Sequence, residues 1–377
     1  MFRRCVVVVQ VAMCLGITGT QFRAMAASVP SFFIAAPNRV DMVDNSATNT
    51  LYISSTDGNL LRYNLTNKSF LTPISLGGYL YGMDISPDGN NIVVADYSAD
   101  YKNHQSWVYT VNLPLGTSQQ ITFSTQGSSE GGVASVAFAD NQTVLASSSG
   151  ATWDPLRKVN IAAGTSTTIA SVSASGAFVT ELSASADHSV IGIAQQCIHP
   201  FGAERYEVSN GTFLNGPALA NGVTAIAASR DGQQYAVTMA GGSATCIYDS
   251  SLKSLGTLFG AYADERPLGV AYSPTSDLLF VSWVNSSGSH SEIDVFNTDS
   301  LAEVGVIDSA PQFTLPAYDN SYQSGRLRVS DDGDFLFATV NGGVNVYAVP
   351  EPSTFILLGI GAISLLAYAW RQRKYTA

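Results

Sequence analysis

Gly127-Ser128-Ser129-Glu130-Gly131 spells the Gly-x-Ser-x-Gly pattern of a hydrolase nucleophile. That pattern works when the serine sits on a sharp turn between a strand and a helix, which lifts its hydroxyl towards an oxyanion site. Here a polar, glycine-rich loop leads into another apolar run, Val133 to Phe138, so the stretch reads as a linker. Histidine is scarce. His104, His188, His199 and His290 stand far apart, with no His-x-His or His-Glu-x-x-His spacing to set two imidazoles on one metal. Asp331-Asp332-Gly333-Asp334 lacks the order of a calcium-binding loop and reads as a hairpin turn. The pattern assigns no catalytic residue and no metal ligand. Tyr79, Tyr81, Trp107, Trp153, Tyr262 and Trp283 would stack on sugar rings if they faced one surface, although packing between sheets is the favoured reading.

The elements that would position such residues repeat along the chain. A short apolar strand, a Ser-x-Asp-Gly turn, a second apolar strand, a polar gap and a third strand ending in an aromatic recur in that order. Clear copies are Met83-Asp84-Ile85 with Ser86-Pro87-Asp88-Gly89, Ala225 to Ala228 with Ser229-Arg230-Asp231-Gly232, and Leu327-Arg328-Val329 with Ser330-Asp331-Asp332-Gly333. The serine position falls at Asp44, Ser86, Ala139, Ser185, Ser229, Ser273 and Ser330, with spacings of 42, 53, 46, 44, 44 and 57. Four-stranded propeller blades repeat every ~40–50 residues, so seven anchors predict an all-β, seven-bladed β-propeller. The last blade has room for three strands before Pro350, and Phe32-Phe33-Ile34 is expected to supply its fourth and close the ring.

The two ends differ from the middle. Met1-Phe2-Arg3-Arg4, the apolar run from Cys5 to Ile17 and the small residues Ala24 and Ala26 predict a signal peptide over 1–26, cleaved after Ala26. Cleavage leaves Cys197 and Cys246, which an oxidising compartment would let pair and which otherwise are separate buried thiols. Setting aside Arg3, Arg4, Arg23, Arg371, Arg373, Lys374 and Glu351 leaves 12 basic and 28 acidic residues between 27 and 350. Such a surface repels phosphate backbones and excludes nucleic acid as a partner.

After the propeller segment at 27–349, the tail over 350–377 reads Pro350-Glu351-Pro352, an apolar run from Phe355 to Trp370, and the basic end Arg371, Arg373 and Lys374. It is expected to form a single transmembrane helix with the propeller outside the cytoplasm. This order closely resembles the PEP-CTERM sorting signal of Gram-negative bacteria that make extracellular polymer. The resemblance implies recognition by an exosortase-type processing enzyme, transient anchoring in the inner membrane, and delivery to the cell surface or extracellular matrix. The repeat grammar resembles YVTN-type and lactonase-like propellers, a likeness in fold more than in activity. The expectation is therefore a non-enzymatic binding or scaffold module for exopolysaccharide or a surface protein. The alternative is a lactonase-like hydrolase using the central pocket, which clustering of a His, a Glu and an Arg in the funnel would favour. No cofactor is expected, save that a carboxylate ring at the propeller mouth would hold Ca²⁺.

Overall fold

Strands built from Val, Ile, Ala and Tyr cannot bury both faces alone, and here they do so by stacking sheet against sheet around an axis. The computed structural model describes residues 31–349 except 127–129, 151–154, 170–177, 197–200, 220–222, 240–241, 309, 316–321 and 323. Among them are seven four-stranded antiparallel sheets. Six are consecutive blades spanning 39–75, 80–124, 133–169, 178–219, 223–259 and 265–308. The seventh joins Leu327–Val329, Phe335–Val340 and Gly343–Ala348 to the N-terminal strand Ser31–Ala35. Phe32 lies opposite Val346, Phe33 opposite Asn345 and Ile34 opposite Val344, so the ring is latched by the strand that the sequence singles out.

The first strand of each blade contacts the first strand of the next and lines the axis. Inner strands are almost wholly buried, as in Val133–Phe138 and Val223–Ala228, whereas outer strands such as Ser69–Ser75 are largely exposed to solvent. Hydrophobic clusters lie between neighbouring blades; one joins Ala225 and Ile247 of the fifth blade to Val281 and Trp283 of the sixth. Polar bonds reinforce these seams. Ser54 Oγ donates to the Tyr81 carbonyl at 2.6 Å, Ser147 Oγ to Thr180 at 2.6 Å and Ser282 Oγ to Gly325 at 2.7 Å, each from a second strand to the next blade's first strand or, at Gly325, to the residues leading into it.

The Ser-x-Asp-Gly turns close the first hairpin of their blades. Ser86 Oγ donates to Asp88 and Ser330 Oγ to Asp332, both at 2.6 Å, while Asn91 N and Phe335 N return to the serine oxygens at 2.9 Å. Gly89, Gly232 and Gly333 take φ of +69°, +64° and +81°, a region that side chains with a Cβ enter at a cost.

The expected C-terminal transmembrane helix is corrected. No helix among the described residues is long and apolar enough to cross a membrane; the sole helical segment there is the three-residue turn Ser46–Thr48. Residues 355–370 lie outside the described residues, and as a helix their 16 residues would reach only about 24 Å of a roughly 30 Å hydrocarbon core. The signal peptide with Ala24 and Ala26, and the tail with Pro350, Glu351, Pro352, Arg371, Arg373 and Lys374, also lie outside them.

Candidate functional site

Backbone hydrogen bonds show which residues occupy equivalent places around the axis. The amides of Asp41, Ser135, Gly269 and Arg326 each donate to a hydroxyl of their own blade's second strand: Ser54, Ser147, Ser282 and Thr339, at 2.8–3.1 Å. The carbonyls of Tyr81, Thr180 and Gly325 receive the seam bonds, which places Gly82 and Glu181 at the same level as Arg326. One layer of the channel is therefore built from Asp41, Gly82, Ser135, Glu181, Gly269 and Arg326. In each of the first six blades a β-bulge, the device by which sheets re-aim a side chain, falls at this level, in the fifth at Thr224.

That layer holds a charge network. Arg326 spans the axis, its Nε bonded to Asp41 and its Nη1 to Glu181 Oε1 at 2.6 Å, with its guanidinium 4.1 Å from the Tyr322 ring centroid. Arg328 Nη2 donates to Asp41 Oδ2 and to the Met83 carbonyl, both at 3.0 Å. Tyr322 donates to Ser135 Oγ at 2.8 Å, and a Cβ on Gly82 would stand 2.7 Å from the Tyr322 hydroxyl, so the bare glycine admits the ring. Burial alone would raise the Asp41 carboxyl; Arg326 and Arg328 outweigh it and hold the group below the ordinary carboxylate range. For Arg326 burial would lower the guanidinium, yet Asp41, Tyr322 and Glu181 hold it well above its usual value.

Below this layer, at the mouth carrying the Ser-x-Asp-Gly turns, lies a cavity of about 160 Å³. Its walls include Asp84, Glu181, His188, Arg326, Arg328 and Asp331. A space of this size matches a ring of roughly six heavy atoms. His188 reaches it through a departure from the repeat: the fourth blade reads Ser185-Ala186-Asp187-His188, and His188 stands where the second, fifth and seventh blades have glycine, at φ +54°. Ser185 Oγ still donates to Asp187 Oδ1 at 2.6 Å and His188 N to the Ser185 carbonyl at 2.9 Å, so the turn is kept despite the strain. His188 Nδ1 lies 3.0 Å from the Phe138 carbonyl, which requires a donor there and leaves Nε2 as an acceptor. Burial raises the Asp84 carboxyl, an effect that Arg328 and His188 only partly offset. Asp331 is raised too, first by its recess and then by Asp84.

The opposite mouth is aromatic. Tyr81 lies 4.7 Å from Tyr97 and 4.8 Å from Tyr322 by ring centroids, with Tyr79 at 6.4 Å from Tyr81 and 44% exposed. Trp107 donates Nε1 to Asp96 Oδ2 at 2.7 Å, and Trp283 is fully buried between blades. On this same face of the sixth blade, Glu265, His290 and Glu292 bring three ligand atoms within 4.8 Å of one another. The strand spacing His290-Ser291-Glu292, which puts two donors on one face, is the signal that a search for helical His spacings overlooks.

Other sequence candidates fall elsewhere. Glu130, within the Gly-x-Ser-x-Gly stretch, is buried in a forked pair with Arg157 at 2.7 and 2.8 Å, a structural role; Ser129, the serine of that pattern, lies outside the described residues. His104 sits on an exposed turn, and His199 and Trp153 lie outside the described residues. Cys246 is a free thiol, 3.4 Å from the Met239 sulfur, and Cys197 lies outside the described residues. Asp331-Asp332-Gly333-Asp334 is the hairpin turn expected.

Comparison with known proteins places two features. Residues 348–374 match the PEP-CTERM protein-sorting motif, so the chain carries an exosortase sorting signal and is an exported surface protein. No curated protein matches the chain. Among solved structures it is similar to a chain of the hydrazine synthase of Kuenenia stuttgartiensis, at 13% identity and TM-score 0.63 over 88% of this chain and 99% of that one. An identity this low shows the fold alone, and a specific YVTN or lactonase family does not follow. With no spanning helix in the described residues, the expected membrane partner and inner-membrane anchoring are corrected with the helix on which they depended.

Proposed function

We propose that this exported surface protein is a hydrolase that opens a small ester or lactone in the cavity at the turn-side mouth of its channel. The observation that carries the reading is His188, held in strained backbone at a glycine position and aimed among Asp84, Asp331 and Arg328. Glycine closes the equivalent turn at Gly89, Gly232 and Gly333, so the turn itself does not require an imidazole.

In this reading His188 Nε2 accepts a proton from water as the water oxygen attacks the ester carbonyl. Arg328, fixed by Asp41 and the Met83 carbonyl, stabilises the oxyanion through its remaining N–H groups. Asp84, whose raised carboxyl keeps its proton to higher pH, donates to the leaving alkoxide. The carboxylate of the product then faces Arg326 and Arg328.

The test is turnover of a panel of small lactones and aryl esters by the purified chain and by His188→Ala. A fall in kcat of about 10²–10⁴-fold in the variant is expected. Absence of turnover in the wild type, or equal rates in both, would remove the reading.

A second reading, a binding module for exopolysaccharide, draws on the tyrosines of the other mouth. Tyr79 offers an exposed ring face backed by Tyr81 and Tyr97, the arrangement on which a sugar stacks. Retention of the chain on the producing organism's polymer, lost in Tyr79→Ala, would support it; equal retention of both would sink it.

A further inference from the structure

The sixth blade carries a group of side chains that the channel chemistry does not use. Glu265 starts its first strand and Glu292 lies in its third, and the two carboxylates are 0% and 1% exposed. His290 sits between them at the end of the second hairpin, 31% exposed, with Nε2 3.4 Å from Glu265 Oε1 and 3.6 Å from Glu292 Oε2. Those separations are long for hydrogen bonds. They match the edge of a tetrahedron of zinc ligands, which at bonds of about 2.0–2.1 Å is roughly 3.4 Å.

The surroundings fix these donors. Tyr262 N donates to Glu265 Oε2 at 2.9 Å, leaving Oε1 turned towards the imidazole. A Cβ on Gly260 would stand 2.4 Å from Glu265 Oε2, so the glycine makes room for the carboxylate. His290 is held by its backbone N–H to Asn285 Oδ1 at 3.0 Å and by the Tyr262 ring, edge-on at 4.8 Å. Its Nε2 is shielded from solvent and makes no hydrogen bond. The three ligand atoms, one from each side chain, lie within 4.8 Å of one another, close enough for a single ion to touch all three.

We infer that Glu265, His290 and Glu292 form a divalent-cation site for Zn²⁺, with water as fourth ligand on the side of the exposed Tyr262. One imidazole with two carboxylates suits a borderline cation; Ca²⁺ prefers six or more oxygens and gains little from the histidine. The site lies at the opposite mouth from His188 and does not depend on the hydrolase reading.

The test is calorimetric titration of the chelator-treated full chain with Zn²⁺, and with Ca²⁺ in parallel, for the wild type, His290→Ala and Glu292→Gln. One equivalent of Zn²⁺ is expected in the wild type. Each variant should weaken binding by more than the roughly 10–100-fold that loss of an outer-shell partner costs. His290→Ala changes a half-exposed loop residue, so its circular dichroism should match the wild type and keep the comparison interpretable. No stoichiometric Zn²⁺ binding, unchanged binding in both variants, or tighter binding of Ca²⁺ than Zn²⁺ would overturn the assignment.

Discussion

The first hairpins of the fifth and fourth blades differ by one residue that matters. The fifth closes with Ser229-Arg230-Asp231-Gly232, the glycine at φ +64°; the fourth closes with Ser185-Ala186-Asp187-His188, the histidine at +54°. Both keep the serine-to-aspartate bond, at 3.0 and 2.6 Å. The fifth-blade turn is what folding asks for. The fourth accepts backbone strain and gains an imidazole at the channel mouth. In a repeat protein, departures from the repeat are thus more informative than its consensus, because the scaffold has already answered the folding requirement.

The contrast extends to the axis, where one backbone level carries Asp41, Gly82, Ser135, Glu181, Gly269 and Arg326 on equivalent frames. Breaking its charge network should give the largest effect. Arg326→Met takes the guanidinium from between the buried Asp41 and Glu181, with Asp41 keeping Arg328, and denaturant unfolding should show a loss of about 3–5 kcal/mol. A loss under about 1 kcal/mol would mean that water already screens the layer.

Asp44, on the turn side of the first blade, gives the next effect, and it depends on pH. Burial, with Asp331 and Asp332 nearby, pushes its carboxyl up to about 7 from an ordinary 3.8. Between these values the folded chain binds more protons than the unfolded one, so stability falls as pH rises from about 4 to about 7. Asp44→Asn should flatten that slope and stabilise the fold at pH 8 by up to about 4 kcal/mol. A parallel slope in wild type and variant would place the effect elsewhere.

The ring latch ranks third. Ile34→Ala, at a site 1% exposed, should cost about 2–4 kcal/mol in thermal or denaturant unfolding. Phe33→Ala, on the exposed face of the same strand, should cost far less.

The smallest shift sharpens the opening comparison. His188→Gly relieves positive-φ strain of about 1–2 kcal/mol and gives up one hydrogen bond worth about 1 kcal/mol, so stability should be unchanged or slightly higher. A loss above about 2 kcal/mol would make His188 a structural residue and undo its contrast with Gly232.

The ring was legible in the sequence because turn chemistry is local. Ser86, Ala139, Ser185, Ser229, Ser273 and Ser330 each directly follow an inner strand, and the widest spacing, 57, marks the longest connection, between Asp308 and Leu327. That connection delivers Tyr322 and Arg326. His188 was legible too, as a broken Ser-x-Asp-Gly, but only to a reading that asks what replaced the glycine. The channel layer was not. Bulges shift the register beside Asp41, Gly82, Ser135, Glu181 and Gly269, and a single slipped residue decides which side chain faces the axis. Glu265 and His290 are 25 positions apart and meet only through a two-hairpin path that spacing rules do not describe.

The strand that closes the circle comes first in the chain, and the sheet it completes comes last. A polypeptide emerging from its N-terminus cannot finish this ring until Val344 and Val346 have arrived to meet Ile34 and Phe32. Until then the last seam stands open, so the ring sets only after nearly the whole propeller segment has been made. Once the ring is shut, its two ends leave from one sheet. Trimming the chain beyond Val349 removes none of the pairings between Ser31–Ala35 and Gly343–Ala348.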